Sequence, residues 1–264
     1  SKRVGGSLYP ELHGIPMLED LFKFSRRPTN PLQITRKEQW ALLKIIPFWA
    51  RRFLAYRSYS SAYKRWRFIL HQLQGHFYLI NESGGISHLA PDYEMLLQLG
   101  TDTIVDRITA LQDKQEKDSE PYIFYTAVKI IAEGLALFGE RYAQHATQMA
   151  DQEKNVGRQI ALNGIAAACR QVPRTPARTF QEALQSVLFA QIALNLESLD
   201  NSICPGRMDQ YLYPYYVRDI DSGLLTPKQA WELVAAFSIK MSEIIPVFSA
   251  RLTRFHGGMF TGQG

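Results

Sequence analysis

Residues 202–216 read Ser202-Ile203-Cys204-Pro205-Gly206-Arg207-Met208-Asp209-Gln210-Tyr211-Leu212-Tyr213-Pro214-Tyr215-Tyr216. A short apolar stretch is followed by a Pro-Gly break and then by a segment dense in tyrosine. Ser202–Cys204 is the clearest strand signal in the chain, because it stands between a long helical pattern and the Pro205-Gly206 turn signal. A helix is expected over Met208–Ile220, in which Tyr211, Tyr213, Tyr215 and Tyr216 are packing aromatics rather than a radical relay. Arg207 and Asp209 are spaced for a local ion pair that braces the loop. A lone strand leaves backbone donors and acceptors unpaired, so the rest of its sheet is expected to lie outside this chain.

Working outward, capping signals divide the sequence into helices. Thr179-Phe180-Gln181-Glu182 is a capping box that opens a long helix toward Glu197. Thr35-Arg36-Lys37-Glu38 is a second box, opening a segment with Trp40, Leu43 and Ile46 that Pro47 is expected to end. Thr226-Pro227-Lys228-Gln229 is a third, with proline at the first helical position. Between Tyr122 and Met149, the residues Phe124, Val128, Ile131, Leu135, Phe138 and Tyr142 step by three or four, the mark of an amphipathic helix. Further helices are expected at Asp92–Leu111 and Gln152–Arg170, with loops at Arg26–Pro31, Asn81–Pro91, Gln115–Pro121 and Pro173–Arg178. The chain reads as mainly α.

Composition is that of an ordinary globular protein: 264 residues, 46% apolar and 21% charged. No apolar run is expected to reach the ~18 to 20 residues of a membrane helix, and Ser1–Gly6 has no apolar core of a secretory signal. Cys169 and Cys204 are too few and too far apart for a disulfide framework. A cytoplasmic protein is expected. The net charge of +5 is uneven, with twelve Lys or Arg and one acid, Glu38, between Lys23 and Arg67. Tyr56, Tyr59, Tyr63, Trp66 and Phe68 are interleaved there. Such a stretch can bind nucleic acid through phosphate contacts and stacking, or be a solvated or docking face. No nucleic-acid motif accompanies it, which favours the second reading.

The block from Pro176-Ala177-Arg178-Thr179-Phe180-Gln181-Glu182 through Glu197 to Tyr216 resembles the pyruvate formate-lyase-like domain of glycyl radical enzymes, in the branch that includes diol dehydratases and choline lyase. Other pieces follow in the family's order. Leu8-Tyr9-Pro10-Glu11-Leu12 is similar to its proline-glutamate segment, Ile45-Ile46-Pro47-Phe48-Trp49 to its IPFW element, and His88-Leu89-Ala90-Pro91-Asp92-Tyr93 with Leu96-Leu97 to its His…Asp-Tyr…Leu-Leu pattern. The resemblance covers residues 1–264 as one partial domain. It implies an α/β barrel of two parallel half-barrels wrapped in helices, of which this chain is a mainly helical part. It implies hydrogen abstraction from a small polar organic substrate by a cysteine thiyl radical. The glycyl radical behind it is installed by an activating enzyme using S-adenosylmethionine and an iron–sulfur cluster.

The family's catalytic cysteine loop and radical glycine loop match nothing in this sequence, and its N-terminal helical region is likewise absent. Arg3-Val4-Gly5-Gly6 precedes the other motifs and has Ser7 where the glycine motif has an aromatic residue. The chain is thus expected to be about a third of a typical member and inactive alone, with no catalytic residue and no cofactor of its own. It is expected to meet a radical activating enzyme, with a homodimer allowed and neither nucleic acid nor membrane as partner.

By the resemblance, His88 aligns with the histidine that hydrogen-bonds substrate hydroxyls, although Ser87 replaces the preceding glycine; a structural loop histidine is the alternative. Asn201 and Ser202 fall where relatives carry a His-Ser pair facing the substrate. An amide and a hydroxyl can orient a polar substrate, but asparagine is no general acid near neutral pH, so chemistry resting on a histidine there does not carry over. Asn201 as a helix-end cap is the alternative. Cys204 reads as a small buried thiol and Cys169, after Ala166-Ala167-Ala168, as a core-facing one. No His-x-x-x-His or Cys-x-x-Cys spacing marks a metal site, and Gly257-Gly258 lacks the lysine of a phosphate loop. The expected function is a lyase, dehydratase-like or formate acetyltransferase-like. The rival is a helical binding module using residues 23–67 against nucleic acid or an acidic partner.

Overall fold

The computed structural model describes residues 21–28, 31–52, 61–74, 76, 90–197 and 203–244. Nine helices occur among them: α1 Arg36–Trp49, α2 Ala62–Leu73, α3 Tyr93–Gln112, α4 Glu120–Gln152, α5 Val156–Gln171, α6 Phe180–Glu197, α7 Met208–Tyr211, α8 Tyr213–Asp221 and α9 Pro227–Glu243. No strand is formed among the described residues. Ser202 lies outside them, and the described part of the expected strand, Ile203 and Cys204, is irregular. The described residues fall into two compact units, one holding 90–193 and 205–241 and the other the remainder.

In the smaller unit, Leu21, Phe24 and Leu32 form a buried cluster on which Ile34, Leu42 and Leu43 pack. Gln39 of α1 donates to the Leu21 carbonyl at 3.3 Å. The capping box that starts α1 is complete: Glu38 N–H donates to Thr35 Oγ1 at 3.3 Å and Thr35 N–H to Glu38 Oε2 at 2.6 Å. Pro47 does not end the helix as expected. It sits inside the last turn, which Ala50 N–H closes onto the Ile46 carbonyl at 2.8 Å. Only the bond that proline cannot donate is lost. Helix α2 is absent from the sequence reading; it carries exposed Tyr63 and Trp66, with Phe68 buried.

The larger unit is built on α4 and α5, which pack as an antiparallel pair. The buried stripe of α4 is all small: Ala132, Ala136, Gly139, Ala143, Ala146 and Ala150. A Cβ on Gly139 would lie 2.9 Å from the Val172 carbonyl oxygen, so the backbones approach as closely as glycine permits. Phe189 of α6 packs edge-on to Phe138 and Tyr142 of α4, at 5.4 and 5.3 Å between centroids, above Ala143 and Cys169. Helix α6 is buried on most faces, through Ala183, Leu184, Val187, Phe189 and Ala190. The opposite side of α4 exposes Ile123, Ile130 and Leu137. At 33 residues, with a mean hydropathy of 1.4 over its most apolar window, α4 is long and apolar enough to cross a membrane by length and composition alone. That corrects the expectation that no segment would be; its small-residue stripe and packing on α5 are those of a bundle helix.

Helix α3 is broken at Gly100, whose φ of 67° and ψ of 166° are open only to glycine. The break frees backbone groups for the segment after α5. Thr101 and Asp102 N–H donate to the Pro173 and Arg174 carbonyls at 2.9 and 3.0 Å, and Ala177 N–H donates to the Leu97 carbonyl at 2.9 Å. A Cβ at Gly100 would sit 2.6 Å from the Arg174 carbonyl oxygen. At its far end α3 is tied to α4 by buried Gln112, which donates to the Tyr122 carbonyl and Thr126 Oγ1 and accepts from Lys129. Gly100→Ala is expected to cost about 3 kcal/mol or more, from strain plus overlap. Gly164→Ala, on α5 with open space around its Cβ, should instead stabilise by up to about 1 kcal/mol. Urea melts of the two variants check both signs.

Candidate functional site

Three segments of the larger unit meet: the start of α3, the middle of α6, and the 205–211 turn. Asp92 caps α3, its carboxylate accepting from Met95 N–H at 2.9 Å. The next residue, Tyr93, is buried, and its phenol oxygen accepts from Nε2 of Gln191, which is fully buried on α6, at 2.6 Å. The Tyr93 ring also packs on Tyr211, 5.8 Å between centroids. Tyr211 in turn donates from its hydroxyl to the Pro205 carbonyl at 2.7 Å. Gly206 takes a φ of 70°, and a Cβ there would lie 3.7 Å from that of Ala90. Ala90 and Gly206 therefore lie side by side.

The other end of α6 is held by charge. Asp219 of α8 is buried and accepts the Phe180 N–H at 2.6 Å, placing a carboxylate at a helix N-terminus. Arg218 pairs with Asp219 at 3.4 Å and donates to the Arg178 carbonyl. The expected box at Thr179 is half formed. Glu182 N–H donates to Thr179 Oγ1 at 3.2 Å, but the Glu182 carboxylate reaches past the cap to the Arg178 N–H at 2.7 Å and guanidinium at 2.8 Å.

A groove of about 570 Å³ opens beside this turn, lined by Glu94, Gln98, Arg207, Gln210, Tyr215 and Arg218 among others. Burial pushes the Tyr215 phenol above its ordinary value, with Arg218 opposing and Glu94 adding to the shift. Its two guanidiniums are engaged: Arg207 makes a bidentate pair with Asp209 at 2.9 and 2.7 Å, and Arg218 holds Asp219. The Arg207 bonds keep the exposed Asp209 carboxyl below its usual range. This is the loop brace that the spacing implies, not a catalytic pair.

The candidate substrate residues His88, Asn201 and Ser202 lie outside the described residues. Cys169 is buried, as its place on α5 implies, and burial pushes its thiol up to about 11. Cys204 is partly exposed and free of any disulfide. No group of three or more His, Cys, Asp or Glu that could hold a metal ion occurs among the described residues. The Tyr93–Gln191 contact escaped sequence reading because 98 residues separate its members; a buried glutamine amid the apolar pattern of α6 is the only sequence sign of it.

Comparison with known proteins identifies the family. The family model described as pyruvate formate lyase-like matches residues 1–263. An isethionate sulfite-lyase of Nitratidesulfovibrio vulgaris is 29% identical over 261 residues, covering 92% of this chain and 31% of that protein. A solved structure from Roseburia inulinivorans, concerned with 1,2-propanediol dehydration, superposes with a TM-score of 0.81 at 26% identity, over 97% of this chain and 32% of that one. The crystal structure of a glycyl radical enzyme from Archaeoglobus fulgidus gives 0.74 at 31% identity, over 96% and 33%. The chain spans about a third of the length of the curated relatives it matches.

Tyr93→Phe removes the acceptor of a buried amide and is expected to cost about 1–3 kcal/mol. Tyr63→Phe, at an exposed ring, should stay within about 0.5 kcal/mol; urea midpoints compare them. A thiol reagent at pH 8 should label Cys169 only after unfolding, because the folded thiol ionises near 11. Its raised value also means that stability falls as pH climbs through that range. Mass spectrometry of folded and denatured samples reads the labelling.

Proposed function

Because the chain belongs to the pyruvate formate lyase-like family of glycyl radical enzymes, we propose that the complete protein cleaves a C–C, C–O or similar bond of a small polar substrate, as a lyase or dehydratase working without oxygen. A glycyl radical, installed by an activating enzyme of the S-adenosylmethionine and iron–sulfur class, supplies the hydrogen-abstracting chemistry. In this reading residues 1–264 are part of one domain, the helical wrapping of a barrel of two parallel half-barrels. They orient the substrate: His88 by donating to and accepting from a hydroxyl, Asn201 and Ser202 by fixing its polar groups so that one hydrogen is presented.

The observation that carries this assignment is the abutment of Ala90 and Gly206, two residues beyond His88 and four beyond Ser202, fastened by the Tyr93–Gln191 and Tyr211–Pro205 bonds. This supports a reading in which groups more than a hundred residues apart in sequence reach one pocket, as ligand sites require. Cys169 packs in the core beneath Phe189, a place that does not suit a hydrogen donor to a substrate.

In the full-length protein, His88→Ala, Asn201→Ala or Ser202→Ala should each lower kcat/KM by about 100-fold or more, a loss of orientation, with the glycyl doublet undiminished in electron paramagnetic resonance. Unchanged turnover in all three would remove them from the site. The 264-residue chain alone, treated anaerobically with an activating enzyme, should show neither doublet nor turnover. A doublet on it that Cys204→Ala or Gly5→Ala abolishes would overturn the proposal.

A further inference from the structure

Helix α2 holds His71 in its last turn, His76 follows three residues beyond its end, and the two histidines meet. Nδ1 of His71 lies 2.8 Å from Nδ1 of His76, with ring centroids 5.0 Å apart. The backbone sets this up: His76 N–H donates to the His71 carbonyl at 3.0 Å, the six-residue closure of a helix C-terminus. We propose that His71 and His76 form a two-imidazole site for a borderline divalent transition-metal ion of the copper and zinc class.

Tetrahedral bonds of about 2.05 Å to nitrogen put two ligand atoms roughly 3.3 Å apart. The rings already stand within about half an ångström of that separation, so binding needs a small rotation rather than a rearrangement. Without metal, one Nδ1 must donate to the other; with metal, the donor ring takes its Nε2–H tautomer and both Nδ1 lone pairs face the ion. The free carbonyls at the end of α2 give that end partial negative charge, which favours a cation. Arg67, one turn earlier, leans away, with its guanidinium 5.7 Å from the Tyr63 ring centroid. Water completes the coordination. Helical i, i+4 counting misses the pair, because the turn that ends α2 is what folds His76 back.

The test titrates the chain, freed of any polyhistidine tag, with Cu²⁺ and records electron paramagnetic resonance at one equivalent. The expected spectrum carries coupling from two imidazole nitrogens. His71→Ala and His76→Ala should each weaken Cu²⁺ and Zn²⁺ binding more than about tenfold, since even losing a group that only orients a ligand costs 10–100-fold, and should erase the two-nitrogen pattern. His145→Ala, on α4, should change neither, and Mg²⁺ should not compete. Retained affinity in either variant, or bound copper without imidazole coupling, overturns the site. Far-UV circular dichroism checks that α2 persists; should His71→Ala unwind it, His71→Gln, a better helix former, decides the question by the same two readouts.

Discussion

The break in α3 at Gly100 is the constraint on which the larger unit depends. A continuous helix would consume its own backbone groups; the broken one offers Thr101 and Asp102 N–H and the Leu97 carbonyl to the segment 173–177. That segment leads directly into α6, so the break fixes the direction in which α6 starts as well as the tilt of the first half of α3. Both ends of the Tyr93–Gln191 bond are set by this one exchange. The requirement is steric as much as conformational, since the Arg174 carbonyl occupies the place of a side chain.

Around that exchange, three buried polar groups hold one element to another. Asp219 caps α6 from α8, Gln112 joins α3 to α4, and Gln191 joins α6 to α3. Each is deeply buried, where an unmade bond costs more than a made one gains. They therefore specify which helix pairs with which more than they add to stability. Apolar contact between α4 and α5 is less selective: a stripe of alanines and one glycine permits close approach but scarcely fixes register.

Much of this was legible in the sequence where the controlling groups are neighbours. The caps at Thr35 and Thr226 and the Arg207–Asp209 brace all lie within one or two turns; α4 forms as expected, but its buried face is the stripe of alanines and glycine, while Phe124, Ile131 and Tyr142 of the expected apolar face are exposed. The family block ending at Tyr216 was legible as well, and the family model matches residues 1–263. Legibility failed where distant backbone decides, as at Gly100 and in the Tyr93–Gln191 pair, and also at some local boundaries. Met208–Ile220 is two helices divided at Leu212. Helix α5 starts at Val156 rather than at Gln152, because Asn155 accepts the Arg158 N–H and caps it there. Pro47 was overruled because a last turn has few bonds to lose. Glu182 reaches Arg178 because the residue before the cap, not the cap itself, offers the nearest unpaired N–H. The candidate substrate residues rest on family likeness alone, since nothing local distinguishes a polar loop residue facing a pocket from one facing water.

The span of the contacts that close the larger unit sets an order on its assembly. α4 meets α5 across a few residues, as in the Gln159–Ala150 bond nine positions apart, whereas Tyr93 must find Gln191 across 98. Loop-closure entropy makes the longer junction about 2 kcal/mol more costly to initiate. The α4–α5 hairpin is thus the natural nucleus, and the Tyr93–Gln191 juncture is among the last to close. A chain emerging from the ribosome would hold the α4–α5 core well before residues 205–211 exist to complete the wall at Ala90.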